Sequence, residues 1–193
     1  MGDRIARLRR VIGKGDVRSI SRRYFIANGF DGTLTSIGVV VGAYLSGIDD
    51  GLTAITIGLG AAIGLGTSGV WSVWEIERAE AMAQRQELER AMLTELEETR
   101  VQREHRAAQI VHAVASATGP ILAIVFTLAP LALEGVVFTM LQAVLASITV
   151  GILILATFGV YLASISRQRW YVAAVRMGLA GIVVAAINVF LPG

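Results

Sequence analysis

With no cysteine in the chain, fifteen carboxylates, two histidines and five methionines are the side chains able to hold a metal ion. Among these, only the carboxylates and histidines can also exchange a proton. Asp31 is the sharpest of them. It sits in Asn28-Gly-Phe-Asp-Gly-Thr-Leu-Thr-Ser36, near the start of a long apolar run, with Asn28, Thr33, Thr35 and Ser36 adding oxygens nearby. A carboxylate at mid-membrane costs about 2.5–3.5 kcal/mol, so such groups usually face a cavity or a partner. Two readings are open. Asp31 is a carboxylate on an ion pathway, with Asn28 and Thr35 as further oxygens, or an acidic residue at a helix start, where the helix dipole favours it.

A second group is an acidic stripe, Glu77, Glu80, Glu87, Glu95 and Glu98, whose spacing places most members near one helical face. Carboxylates suit divalent cations, and the thioethers of Met82 and Met92 are softer donors that suit Fe(II) or Cu(I) better than Mg or Ca. The same segment also reads as a solvated charged helix: Glu75/Arg78, Glu87/Arg90 and Glu97/Arg100 are spaced to pair at i,i+3. His105 and His112 are seven residues apart, on a shared face, at the entry to another apolar run. Without an adjacent acidic triplet they read as neutral interfacial histidines.

The sequence holds no phosphate-binding glycine loop, no HExxH and no nucleophile–base arrangement, so an enzyme is not expected and no cofactor is called for. Disulfides and thiolate metal sites are excluded. The pI near 9.4 does not signal nucleic acid, because the basic groups fall where anionic lipid headgroups would be.

These residues are carried by five apolar runs, about 29–48, 52–74, 110–133, 135–165 and 171–191. Each reaches the ~20 residues that cross a hydrocarbon core, and in lipid such runs must be helices. All seventeen Lys and Arg precede the first run, lie between the second and third, or follow the start of the inter-run segment at Arg167. Asp49, Asp50 and Glu134 fall on the other side. Basic loops stay cytoplasmic, so the expected fold is all-α: a polytopic membrane protein with five transmembrane helices, the N-terminus cytoplasmic, and a charged cytoplasmic helical extension between spans two and three. Residues 1–25 form a basic amphipathic segment, with the stretch Asp3–Ile12 lying on the inner surface. Residues 26–74 hold spans one and two, 75–109 the glutamate-rich region, and 110–193 spans three to five. The first run reads as a retained span rather than a cleaved signal.

Residues 75–109 contain neither proline nor glycine and are rich in strong helix formers. Span two is therefore expected to run on without a break, with a turn near Thr94 or Thr99 before span three. The long fourth run needs tilt, or an early loop at Gly135. Gly38-Val-Val-Val-Gly42 and Gly60-Ala-Ala-Ile-Gly64 are GxxxG patterns, suited either to a dimer seam or to packing within the chain. Pro120 and Pro130 fall within span three, where proline tends to kink a helix.

Ala27-Asn-Gly-Phe-Asp-Gly-Thr-Leu-Thr-Ser-Ile-Gly-Val-Val-Val-Gly42 resembles the first span of the vacuolar iron transporter family. Gly119-Pro-Ile-Leu with Pro130-Leu resembles that family's third span, and Arg176-Met-Gly-Leu-Ala-Gly181 its last. Gly66-Thr-Ser-Gly-Val-Trp-Ser-Val73 stands where the family usually carries a Met-Ala-x-Gly-Glu-Tyr type of segment. The resemblance implies a homodimer that exchanges divalent iron or manganese for protons, with Fe(II) or Mn(II) as substrate. It also implies a pathway between the first spans, with Asp31 as its carboxylate. Glu77, Glu80, Glu87, Glu95 and Glu98, with Met82 and Met92, become the residues that gather metal. The expected partners are metal ions, protons, the lipid bilayer and a second copy, in a prokaryotic plasma membrane. The rival expectation is a non-transporting membrane scaffold whose charged cytoplasmic helix binds a partner.

Overall fold

The computed structural model describes residues 13, 15–93 and 100–190, the side chains of 100–104 excepted. The expected surface helix at Asp3–Ile12 and the turn at Thr94 or Thr99 lie outside these residues. Five α-helices follow one another: α1 (Gly15–Leu45), α2 (Gly51–Met92), α3 (Arg100–Leu128), α4 (Met140–Ser166) and α5 (Trp170–Phe190). Each contains a stretch long and apolar enough to cross a membrane. Among the described residues there is no strand beyond a single bridge between Glu134 and Phe138.

The helix ends follow local chemistry. Asp50 caps α2 by accepting from the Thr53 backbone N–H at 2.8 Å and the Thr53 hydroxyl at 2.5 Å. Those two bonds hold its carboxyl below the usual carboxylate range. Thr139 and Gln142 form a reciprocal capping box at the start of α4. α3 ends at Leu128, and Pro130 lies in the 3-10 turn Ala129–Leu133 rather than in the helix proper. Gly135 then turns the chain with φ +76, a value that side chains disfavour, and α4 begins only at Met140. The early loop thus absorbs the excess length of the fourth run. α2 continues unbroken for 42 residues, as its composition predicts. At the other extreme, α1 begins at Gly15, well before its apolar run. Arg18, Arg22 and Arg23 are helical because long basic side chains can reach outward from a helix that is already near lipid.

α1 touches all four other helices; α2 packs on α3, and α4 on α5. The inner face of α2 is a ladder of small buried residues, Ala54, Gly58, Ala62, Gly66 and Gly69, against Leu128, Ile121 and Ser116 of α3. At the α1–α3 crossing a methyl group on Gly32 would sit 2.6 Å from the Pro120 Cα, so only glycine permits the approach. Small residues allow helix backbones this close when lipid supplies no hydrophobic drive between helices. The core itself is Val40, Ile124, Leu128 and Leu131 on one side, and Ile37, Val41 and Leu155 on the other. Leu52, Ile63, Phe126, Leu153 and Val183 point outward, as a lipid-facing surface requires. Antiparallel alternation gathers the described arginines at one end of the bundle. Asp49, Asp50 and Glu134 mark the opposite end, where Gly51 packs against Leu131 and Glu134.

Candidate functional site

The close α1–α3 crossing decides where Asp31 points. Gly29, Gly32, Thr33 and Ser36 are buried inward, so the neighbouring azimuth of the helix is left uncovered. Arg23, Ala27 and Asp31 are exposed along it at intervals of one turn, continued by half-buried Thr35, Gly38 and Gly42. No atom lies within 4 Å of where a Gly42 side chain would begin. Gly38 packs within the chain, against Asn188 of α5. The other GxxxG pair, Gly60 and Gly64 of α2, is open on its outer side. Asp31 is not at a helix start. At 1.5 Å per residue it lies about 24 Å from the beginning of α1 and about 21 Å from its end, which removes the helix-terminus reading.

The oxygens near Asp31 in sequence separate in space. Thr33 donates to the Gly29 carbonyl at 2.7 Å, and Ser36 to the Thr33 carbonyl at 2.8 Å, so both hydroxyls serve their own helix. The Asn28 amide donates to the Ser116 hydroxyl at 2.6 Å, and Ser116 donates to the Gly69 carbonyl at 3.0 Å. Asn28 thereby ties α1 to α3 and α2. Thr35 shares the uncovered side with Asp31, and no hydrogen bond joins Asn28, Asp31 and Thr35 to one another among the described residues.

The acidic stripe divides as well. Glu77 turns toward the bundle, where its Oε1 lies 2.9 Å from Nδ1 of His112. The Tyr24 ring packs on the same histidine, the two ring centroids 6.0 Å apart. His112 is 2% exposed and its Nε2 has no hydrogen-bond partner. One turn before it, Gln109 donates to the Trp74 carbonyl at 2.7 Å. His112 is therefore not an interfacial histidine: it is enclosed by α1, α2 and α3, while His105 is exposed. Sequence spacing missed this cluster because Glu77 and His112 are 35 residues apart, and its one visible signal was a histidine inside an apolar stretch.

Glu80, Glu87, Met82 and Met92 are exposed on the part of α2 beyond Trp74. Glu75 pairs with Arg78 at 3.7 Å and Glu89 with Arg85 at 2.8 Å on the same helix. Glu95 and Glu98 lie outside the described residues. Among the described residues no three His, Cys, Asp or Glu side chains converge on a metal-sized point. The chemistry on offer is thus one outward carboxylate at mid-helix, one carboxylate bonded to a buried histidine, and a charged helix with carboxylates and thioethers.

Residues 71–192 match the family model described as the VIT family. An uncharacterized protein of Methanocaldococcus jannaschii is 28% identical over 176 residues, covering 88% of this chain and 86% of that protein. No solved structure matches. The family match begins at Trp71, so Asp31 lies outside it, whereas Glu77, His112 and the charged part of α2 lie within.

Proposed function

The chain belongs to the VIT family of membrane metal-ion transporters, and from that premise we propose that it exchanges a divalent metal ion, Fe(II) or Mn(II), for protons and exports the metal from the cytoplasm. It is an integral membrane protein with five apolar helices. The gathering of arginines at one end supports a cytoplasmic N-terminus and a cytoplasmic extension of α2. The archaeal relative supports a prokaryotic plasma membrane.

Asp31 carries the reading. A carboxylate about one turn inside the apolar part of a membrane helix, uncovered by the described bundle, needs water or another protein beside it. A second copy placed along this face of α1 would provide both, with Thr35 adding an oxygen and Gly42 allowing close approach. The open Gly60 and Gly64 of α2 suit the same homodimer. Glu80, Glu87, Met82 and Met92, joined by Glu77, Glu95 and Glu98, would collect the ion before it reaches Asp31. Protons and metal then compete for the same carboxylate oxygens, and that competition couples the two flows.

The test is metal-driven proton flux in proteoliposomes with Fe(II), Mn(II), Co(II) and Ca(II) compared. Asp31→Asn abolishes flux and leaves thermal unfolding unchanged; full flux in this variant removes Asp31 from the pathway. A second reading is favoured by the exposure of the charged part of α2, which suits a scaffold that docks a partner helix. Calorimetric titration of the purified protein separates the two, since the scaffold takes up neither Fe(II) nor Mn(II).

A further inference from the structure

At the arginine-bearing end of the bundle, α1, α3 and α4 do not close on one another. They leave a half-open cavity of about 500 Å3, within the ~300–1,000 Å3 range of small-molecule sites. Its walls are carbon: Phe25 and Ile26 of α1, Val111 and Ala115 of α3, and Phe158 of α4. Phe25 and Phe158 meet edge to face at 6.2 Å and frame the deeper wall. The polar groups are confined to particular positions. Arg18 and Arg22, one helical turn apart on α1, both line the cavity, and Tyr161 of α4 contributes an exposed phenol. No acidic residue lines it.

Two observations separate this arrangement from arginines that merely extend into water. Arg22 is half-buried against the cavity, and among the described residues neither Arg18 nor Arg22 has an ion-pair partner. Between them, Ser21 also lines the cavity, and its hydroxyl oxygen is closed to solvent with no hydrogen-bond partner. A chamber lined almost wholly by carbon, with the stems of two arginines along one wall and their charged heads at its edge, matches an amphiphile with a negatively charged head. Guanidinium forks bind phosphate through paired hydrogen bonds, and basic pockets between membrane helices select anionic headgroups.

We infer that this cavity is a binding site for one anionic phospholipid, its acyl chain between Phe25, Val111 and Phe158 and its phosphate on Arg18 and Arg22. The site depends on membrane insertion and is independent of which ion, if any, the protein carries. A bound lipid fills a gap that the helices leave and holds α4 against α1.

The test is native mass spectrometry of the full chain released from detergent, titrated in parallel with phosphatidylglycerol and phosphatidylcholine. One phosphatidylglycerol per chain should survive collisional activation that strips phosphatidylcholine. In the variant combining Arg18→Gln and Arg22→Gln the apparent Kd for phosphatidylglycerol should rise about thirtyfold. The variant combining Arg167→Gln and Arg169→Gln, which removes the same charge at the α4–α5 link, should leave it unchanged. Ala115→Leu, which fills the chamber without touching charge, should weaken retention of either lipid and keeps the test decisive where the double arginine variant fails to fold. Equal retention of the two lipids, or equal weakening by both charge-removing pairs, overturns the inference. So does efficient cross-linking of Thr157→Cys to a second copy in native membranes, because the cavity would then be a contact between chains.

Discussion

Asp31 on α1 and Glu77 on α2 are carboxylates on neighbouring helices of one bundle, and their surroundings are opposite. Glu77 meets His112 of α3, whose ring packs beside Tyr24 of α1, so its partner is supplied within a single chain. Asp31 faces away from every helix that packs on α1. Burying a charge is tolerated when its partners are supplied, and costly otherwise. The bundle has supplied them for Glu77. For Asp31 the described residues supply none, and a metal ion, a proton, water or a second copy would fill that role. Thus the carboxylate with a partner in the chain ties α2 to α3, and the carboxylate without one is the residue on which the proposed pathway rests.

The largest effect separating the two concerns flux. Asp31→Asn should reduce metal-dependent proton movement to background while the melting midpoint stays put. Glu77→Ala should do the converse first, lowering stability by about 1–3 kcal/mol, because buried His112 loses the partner of its Nδ1 while its Nε2 already has none. That loss is readable in thermal melts in detergent. Combining Glu77→Leu with His112→Leu should restore much of it, since removing both polar groups leaves neither stranded; a double variant as unstable as the sum of its parts would mean the pair does not interact. A similar contrast applies to the faces of α1. Gly32→Ala should destabilise by about 1–3 kcal/mol through contact with Pro120, whereas Gly42→Ala should scarcely change the melt of the single chain.

The smallest effect belongs to Asp50, a third carboxylate whose partner lies on its own helix. Its pKa is depressed by Thr53, so the stabilising contribution is complete above the ordinary carboxylate pKa and is lost as pH falls through the lowered value. Being fully exposed, it should show as a slight acid-side decline in melting temperature that Asp50→Asn abolishes.

Much of the fold was legible because lipid imposes simple rules. Apolar length marked the five spans, and helix-forming composition carried α2 past Trp74 without a break. The excess length of the fourth run left tilt or a loop at Gly135 open, and the loop is what forms. The start of α1 was not legible, since apolar content says where a helix enters lipid and not where it begins; arginines at 18, 22 and 23 are as helical as the residues after them. The same confusion left open whether Asp31 sat at a helix start. The cluster of Glu77, His112 and Tyr24 depends on three helices meeting, and nothing local in the sequence encodes that. Periodicity put Glu77 with Glu80 and Glu87, yet only Glu77 lies low enough on α2 to reach α3.

The unbroken run of α2 from Gly51 to Met92 has a mechanical consequence. From Trp74 to Met92 it projects about 27 Å. A tilt of about ten degrees where it leaves the bilayer would swing the far tip by about 5 Å. A sub-ångström rearrangement deep among the spans is therefore magnified at Met82 and Met92, and a load applied to that tip has equal leverage on the spans.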